Sequence, residues 1–337
     1  MDSLGRNFRV SLFGESHGPA IGVVLDGVKA GLPLSEDDFR MDLLRRKSGA
    51  AGTTPRIESD LPEILSGVFE GRTTGAPLAI LFRNENTRSG DYAALQDLPR
   101  PGHADYTARM KWNGFNDPRG GGHFSGRLTL PIVAAGVVAK KMCGYSFTAR
   151  LTEVGGFRDP ALQVQAVAAA SKEGDSLGGI VECRIDGVPA GLGEPFFDSV
   201  ESLLAHALFA IPGVRGVEFG DGFRSARMKG SEHNDPLIRD GEAVKPAKDG
   251  AGGINGGLTN GGPVVFRVAF KPTSSIFKQQ VTLNLATGAQ ESLRVPGRHD
   301  TCFALRTPVI VEAMAALVFA DLQGEADTTM PQLFQQS

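Results

Sequence analysis

The sequence predicts an α+β fold with helices buried between layers of sheet. Two observations carry this. Strand-like and helix-like segments follow one another without the regular alternation of a doubly wound sheet. Two helical segments are also apolar on nearly every face, as helices enclosed on all sides are. The chain of 337 residues is long enough for one large domain or two ordinary ones. No repeat and no clear linker divides it, so residues 1–324 read as one domain and 325–337, after Gly324, as a frayed tail.

The elements follow in order. "FRVSLF" (8–13) alternates and is rich in strand formers, and "PAIGVVLDGV" is a short apolar run bounded by Pro19 and Asp26-Gly27, hence a second strand. A helix is expected from Ser35 to about Lys47, with "SEDD" as cap and acidic first turn and Phe39, Leu43 and Leu44 as its apolar face. Strands are expected at "EILSGVFEG" and "APLAILFR". "RLTLPIVAAGVVAKKM" is a long apolar helix, with Pro131 near its first turn and lysines near its end. Next come a helix in "DPALQVQAVAAASKEG", a strand at "GGIVECRI", a helix at "VESLLAHALFA" and a strand at "GPVVFRVAF". The last helix starts at "TPVIVEAMAALVFAD", capped by Thr307 with Pro308 first inside. Residues 228–257 read as a long, charged, glycine-rich loop.

Composition excludes several function classes. The net charge of -3 gives no basic field for nucleic acid. No apolar stretch is long and clean enough to span a membrane, and the N-terminus lacks a signal-peptide pattern. Cys143, Cys183 and Cys302 are scattered and form no metal-binding spacing. The expectation is a reduced, cytoplasmic, metal-free protein. Its 44 glycines cluster near basic residues, which frees many backbone amides for close approach to a ligand.

Five short segments carry chemistry. "GESHG" (14–18) matches the nucleophile elbow of the α/β-hydrolases, but the elbow needs a helix after the serine and here a strand follows. The expected unit is strand–turn–strand, presenting Ser16 and His17 at a rim. Neighbours on an extended turn point apart, which disfavours a nucleophile–base pair and the serine-hydrolase reading. "RGGGHFSGR" (119–127) runs into a buried helix, with glycines for close approach, Ser125 as cap and Arg127 as counter-charge; it is either an anion site or a tight turn with an ordinary cap. "LLRRKSG" sets Arg45, Arg46 and Lys47 at a helix end, where they also suit the dipole. "RPGHADY" and "PGRHD" add Arg100, His103 and Asp105, then Arg298, His299 and Asp300. Were these segments to converge, they would hold a multiply charged anion beside two or three groups for proton transfer.

The motifs "GESHGPAIGVVLDGV", "ILSGVFEGRTTGAPLAI", "RPGHADYT", "RGGGHFSGRLT", "VPAGLGEPFFD", "GVRGVEFGDGF", "FKPTSSI" and "GRHD" resemble those of the chorismate synthase family, in that family's order and over nearly the whole chain. The resemblance implies a β-α-β sandwich, with central helices between antiparallel sheets, assembled as a homotetramer. It implies an anti 1,4-elimination of phosphate from 5-enolpyruvylshikimate 3-phosphate, giving chorismate and requiring reduced FMN (FMNH2). NADP is a further association of the family, and the reduced flavin comes from an external source. A non-catalytic flavin- or phosphate-binding protein on the same scaffold is the alternative.

Carried over by resemblance, His17, His103 and Asp300 are catalytic. Ser16, Arg45, Arg46 and Arg127 bind substrate. His123, Phe124, Ser125, Pro212, Gly213, Gly256, Lys271, Pro272, Thr273, Ser274, Ser275 and Arg298 contact flavin. Three departures stand out. "HFSGR" replaces Arg-Ser-Ser-Ala-Arg, "SGAAG" shortens the run after "RRK", and Pro212-Gly213 replaces Asn-Ala.

Overall fold

A computed structural model describes residues 2–55, 58–85, 96–241, 243–297 and 299–329. The first sheet is antiparallel and ordered β1 (Ser3–Leu4), β2 (Arg9–Gly14), β3 (Ala20–Asp26), β7 (Leu78–Arg83), β4 (Glu63–Ser66). A short ladder of β5 (Val68–Phe69) and β6 (Arg72–Thr73) lies between β4 and β7 in the chain. Strand alternation sets the buried face: Ile21, Val23 and Leu25 pair across to Phe82, Ile80 and Leu78, and all six are fully buried.

The second sheet is ordered β10 (Val214–Phe219), β15 (Val264–Phe270), β9 (Gly179–Asp186), β8 (Ser146–Val154). Val264, Phe266 and Val268 face Ile185, Cys183 and Val181 across it, again all buried. Between β10 and β15 come the hairpin β11 (Leu237–Asp240) with β12 (Ala243–Pro246), and the short pair β13 (Ile254–Asn255) with β14 (Leu258–Thr259). A final hairpin joins β16 (Gln280–Leu283) to β17 (Gln290–Leu293).

The helices are α1 (Arg40–Arg46), α2 (Asp105–Lys111), α3 (Thr129–Cys143), α4 (Pro160–Glu173), α5 (Val200–Phe209), α6 (Gly230–His233) and α7 (Pro308–Thr329). The two apolar helices foreseen, α3 and α7, pack on each other between the sheets. α3 lies against β2, β3 and β7, and α7 against β8 and β9. Their contact is close because Gly136 meets Ala313, where a Cβ on Gly136 would overlap the alanine methyl. The result is sheet, helices, sheet: the sandwich that the resemblance implied.

One buried charge sits in this middle layer. Glu312 of α7, 1% exposed, accepts hydrogen bonds from Arg45 and Lys140 and from the Ala149 backbone N–H. Burial alone would raise its carboxyl; the Arg45 hydrogen bonds and the Lys140 charge outweigh that and hold it below the ordinary value of 4.5.

Two differences from expectation concern segments without an apolar stripe. Residues 228–257 are not a plain loop, since they contain α6 and the β11–β12 hairpin. Every residue of β11 is exposed, so no hydrophobic alternation announced it. Helix α7 also continues past Gly324 to Thr329, and 330–337 lie outside the described residues. No described helix is long and apolar enough to cross a membrane.

Candidate active site

The site is built from the turns at the ends of these elements. Gly14 ends β2 at φ +95°, where a Cβ would overlap the Ala20 carbonyl. The chain then makes a turn closed by Gly18 N–H donating to Glu15 O at 3.1 Å. Ser16 and His17 occupy its centre, only 1% and 8% exposed, so they line an interior wall and not a rim. β3 follows directly and pairs antiparallel with β2, which rules out a nucleophile elbow.

The expected divergence of the two side chains is not observed. A Cβ on Gly120 would stand 3.1 Å from Ser16 Oγ and 2.6 Å from His17 Nε2, so both face one point. Residues at a turn centre do not follow strand alternation.

The glycine triplet explains itself against this wall. Gly120, Gly121 and Gly122 all have positive φ, at +61°, +84° and +53°. A Cβ on Gly120 would strike the His17 imidazole, and one on Gly121 would press His103 Cε1 at 3.3 Å. Gly122 O accepts from Ser16 N–H at 3.1 Å. The triplet is therefore a thin backbone septum between two histidines, for which any side chain is too thick. Beyond it Ser125 Oγ accepts from Arg127 N–H at 3.3 Å, as the foreseen cap.

His103 is oriented by its neighbours. Its Nδ1 lies 2.7 Å from Asp105 Oδ1 and 3.0 Å from Arg100 NH2. Asp105 also takes a bidentate pair from Arg100, with both bonds 2.7 Å. With Nδ1–H donating to Asp105, Nε2 is the ring nitrogen left on the glycine side. Burial lowers the His103 pKa from 6.5; the Asp105 hydrogen bond opposes it, Arg100 reinforces it, and the net shift is downward. The imidazole is mostly neutral near pH 7.

The cations form a second wall. Arg46 donates to Thr129 Oγ1 and Gly126 O, both at 3.0 Å, and approaches Asp60 at 3.7 Å. Burial, then the adjacent Arg306 and Arg127 charges, push Arg46 down to about 9, so it stays charged at neutral pH. Arg127 pairs with Asp60, donates from Nε to Asn84 Oδ1 at 3.1 Å, and reaches Arg83 O at 3.3 Å. Asp300 accepts from Thr54 N–H at 2.8 Å and from Arg306 at 3.0 Å.

These walls enclose one cavity of about 910 Å³, at the upper end of ligand-cleft size. Five of the chain's six histidines line it: His17, His103, His123, His206 and His299. So do Asp300, Ser16, Arg46, Arg127, Phe124, Ser125, Pro212, Gly213 and the run Lys271 to Ser275. His123 Nδ1 is 2.7 Å from Gly14 O, its Nε2 faces Asp2, and Phe124 packs on Trp112. Burial, then the Arg215 charge, lower Lys271 below 10.5.

Two expected residues are elsewhere. Arg45 binds Glu312 and Asp42 and does not line the cavity. Gly256, in the turn between β13 and β14, does not line it either. Arg298 lies outside the described residues. Sequence reasoning missed Asp60, Asn84 and Arg306. Asp60 carried no motif, although its φ of +54° is unusual for a non-glycine.

The chain is similar to known proteins along nearly its whole length. The family model "Chorismate synthase" matches residues 8–323. A chorismate synthase of Chitinophaga pinensis is 59% identical over 323 residues, covering 95% of this chain and 96% of that one. One of Korarchaeum cryptofilum is 47% identical over 349 residues, with coverage of 95% and 96%. A crystal structure of a chorismate synthase superposes with a TM-score of 0.73 at 27% identity, over 96% of this chain and 93% of the other. With the motifs, the sandwich and the alignment in agreement from end to end, the chain belongs to the chorismate synthase family of lyases.

Proposed function

We propose that the cavity catalyses the anti 1,4-elimination of phosphate from 5-enolpyruvylshikimate 3-phosphate, giving chorismate, in dependence on reduced FMN. The observation that carries this is convergence: two histidines, a buried carboxylate and several guanidinium groups, far apart in sequence, line one cavity. The substrate has two carboxylates and a phosphate, which the cationic wall suits.

The cavity also fits a large polar cofactor. Thr273 Oγ1 and Arg306 Nε are buried without a hydrogen-bond partner and belong to lining residues, a pattern that a ligand would satisfy. Reduced flavin would be held by His123, Phe124, Ser125, Pro212, Gly213 and Lys271 to Ser275, with Arg298 by resemblance, and would supply the transient electron donation that weakens the allylic C–O bond. Gly256 stands apart from this set.

The chain's own groups then have distinct tasks. Arg46 and Arg127 offset the charge of the departing phosphate. His17, beside Ser16, donates the proton that makes phosphate a better leaving group. His103, neutral and held by Asp105, has Nε2 available to take up or return a proton. Asp300, anchored by Thr54 and Arg306, is the carboxylate that ends with the ring proton. We infer further that the working form is a cytoplasmic homotetramer supplied with reduced flavin from outside.

The test is anaerobic turnover with reduced FMN. Chorismate and phosphate are expected in equal amounts. Tight binding of both ligands without product would leave a binding protein on this scaffold and overturn the proposal.

A further inference from the structure

Asn84 follows the last residue of β7 and is partly buried. Its backbone N–H donates to Pro19 O at 3.1 Å. Its side chain makes three further bonds. Nδ2 donates to Glu15 O at 3.0 Å and to Gly18 O at 2.8 Å, and Oδ1 accepts from Arg127 Nε at 3.1 Å. Glu15 and Gly18 are the two ends of the turn that carries Ser16 and His17. One amide therefore joins that turn to an arginine of the cationic wall.

The orientation of this amide is dictated by its partners. Two carbonyls require N–H donors and a guanidinium requires an acceptor; the reversed amide would oppose oxygen to oxygen and N–H to N–H. Arg127 has little freedom of its own, since Asp60 and Arg83 O take further donors of its fork. Moving the amide therefore moves the His17 turn against a fixed cation. Aspartate would keep an acceptor for Arg127 but lose both donors. Alanine would lose all three bonds, and glutamine would be one methylene too long.

We propose that Asn84 is a positioning residue for the elimination: it fixes the His17 turn relative to Arg127, so that proton donor and cation meet the same leaving group. This rests on the function proposed above. A displacement of about 1 Å at reacting groups costs up to about 100-fold in rate. Asn84→Asp is therefore expected to lower kcat by roughly 10- to 100-fold, with KM for the phosphate substrate changed much less.

The deciding experiment is a double-mutant cycle between Asn84→Asp and His17→Ala, read as kcat, with melting temperature and flavin affinity as folding controls. If Asn84 acts through His17, Asn84→Asp costs little once His17→Ala is present. Equal losses in both backgrounds, or near-native kcat in Asn84→Asp, overturn the proposal. If Asn84→Asp does not fold, Asn84→Ser, which is smaller and uncharged, replaces it in the cycle. Imidazole NMR of the ligand-free protein separates this proposal from the functional one: Asn84→Asp should shift the His17 signals and leave those of His103 in place. That result in an inactive wild type would uphold the positioning role and defeat the reaction. Unmoved His17 signals would defeat the positioning role.

Discussion

Arg45 and Arg46 are consecutive on α1, yet they end in opposite electrostatic settings. A helix turns about 100° per residue, so the two side chains leave on different faces. Arg45 joins Lys140, Asp42 and Glu312: two cations matched by two anions, away from the cavity. Arg46 joins Arg127, Arg306, Asp60 and Asp300: three cations against two anions, on the cavity wall. The first cluster is a closed account of a buried carboxylate. The second carries positive charge in excess of its own acids, as a site for an anionic ligand requires. A pair of adjacent arginines thus joins a balanced cluster with one member and, on the proposed function, an anion-binding wall with the other.

On the proposed function, the largest effect should come from the two histidines on the cavity side. His17→Ala and His103→Ala are each expected to lower turnover by about 10²- to 10⁴-fold, roughly 3 to 5 kcal/mol in barrier, with little change in melting temperature. Near-native turnover of either variant at saturating flavin would remove that residue from the mechanism.

Glu312→Ala attacks the opposite cluster. It strips the buried partner from Arg45 and Lys140 and should cost about 3 kcal/mol of stability, while kcat per folded molecule stays near wild type. An unchanged chemical-denaturation midpoint would show that the cluster is not structural. Acid should act on the same group. Its folded pKa is depressed, so its contribution is fully present above the ordinary value of 4.5 and is lost as pH falls through the lower folded value. The wild type should lose this increment below pH 4.5, and Glu312→Ala should show a flatter acid limb.

A direct swap sharpens the comparison. Arg46→Met should raise KM for the phosphate substrate by roughly 10- to 100-fold, since charged hydrogen bonds are worth about 1.5 to 3 kcal/mol. Arg45→Met should lower the melting temperature and leave KM alone. A raised KM in Arg45→Met at unchanged stability would return Arg45 to the anion site. The smallest expected effect is optical. Trp112, the chain's one tryptophan, packs on cavity-lining Phe124 with ring centroids 5.6 Å apart. Flavin binding should change its emission, and Phe124→Ala should reduce that change.

The parts legible in the sequence are those with a strong local signature. Helices α3 and α7 showed their burial by being apolar all round, and β3 and β7 by dense runs of β-branched and aliphatic residues. The β11–β12 hairpin had no buried face to advertise, and β8 hides its register behind a bulge near Leu151. In the site, histidines and glycines stood out because few other residues can do their work. Asn84 and Asp60 did not. Their meaning lies in bonds to Arg127, 43 and 67 residues away, and an asparagine after a strand reads as an ordinary loop residue. The sequence likewise shows two equal arginines at 45 and 46, because Glu312 lies 267 residues from the first.

The contact of Gly136 with Ala313 has a consequence for tolerance. Arg127 stands just before α3, and Asp300 and Arg306 just before α7, so two helices locked where Gly136 meets Ala313 carry three groups of the cavity wall at their N-terminal ends. About seven residues of helix, roughly 10 Å, separate that lock from the start of α3. A methyl group added at the lock would push the helices apart, and the shift would appear as a wider spacing among charges that the methyl never touches. The dimensions of this site are thus inherited from the core, and a core substitution can leave the fold standing while putting the chemistry out of adjustment.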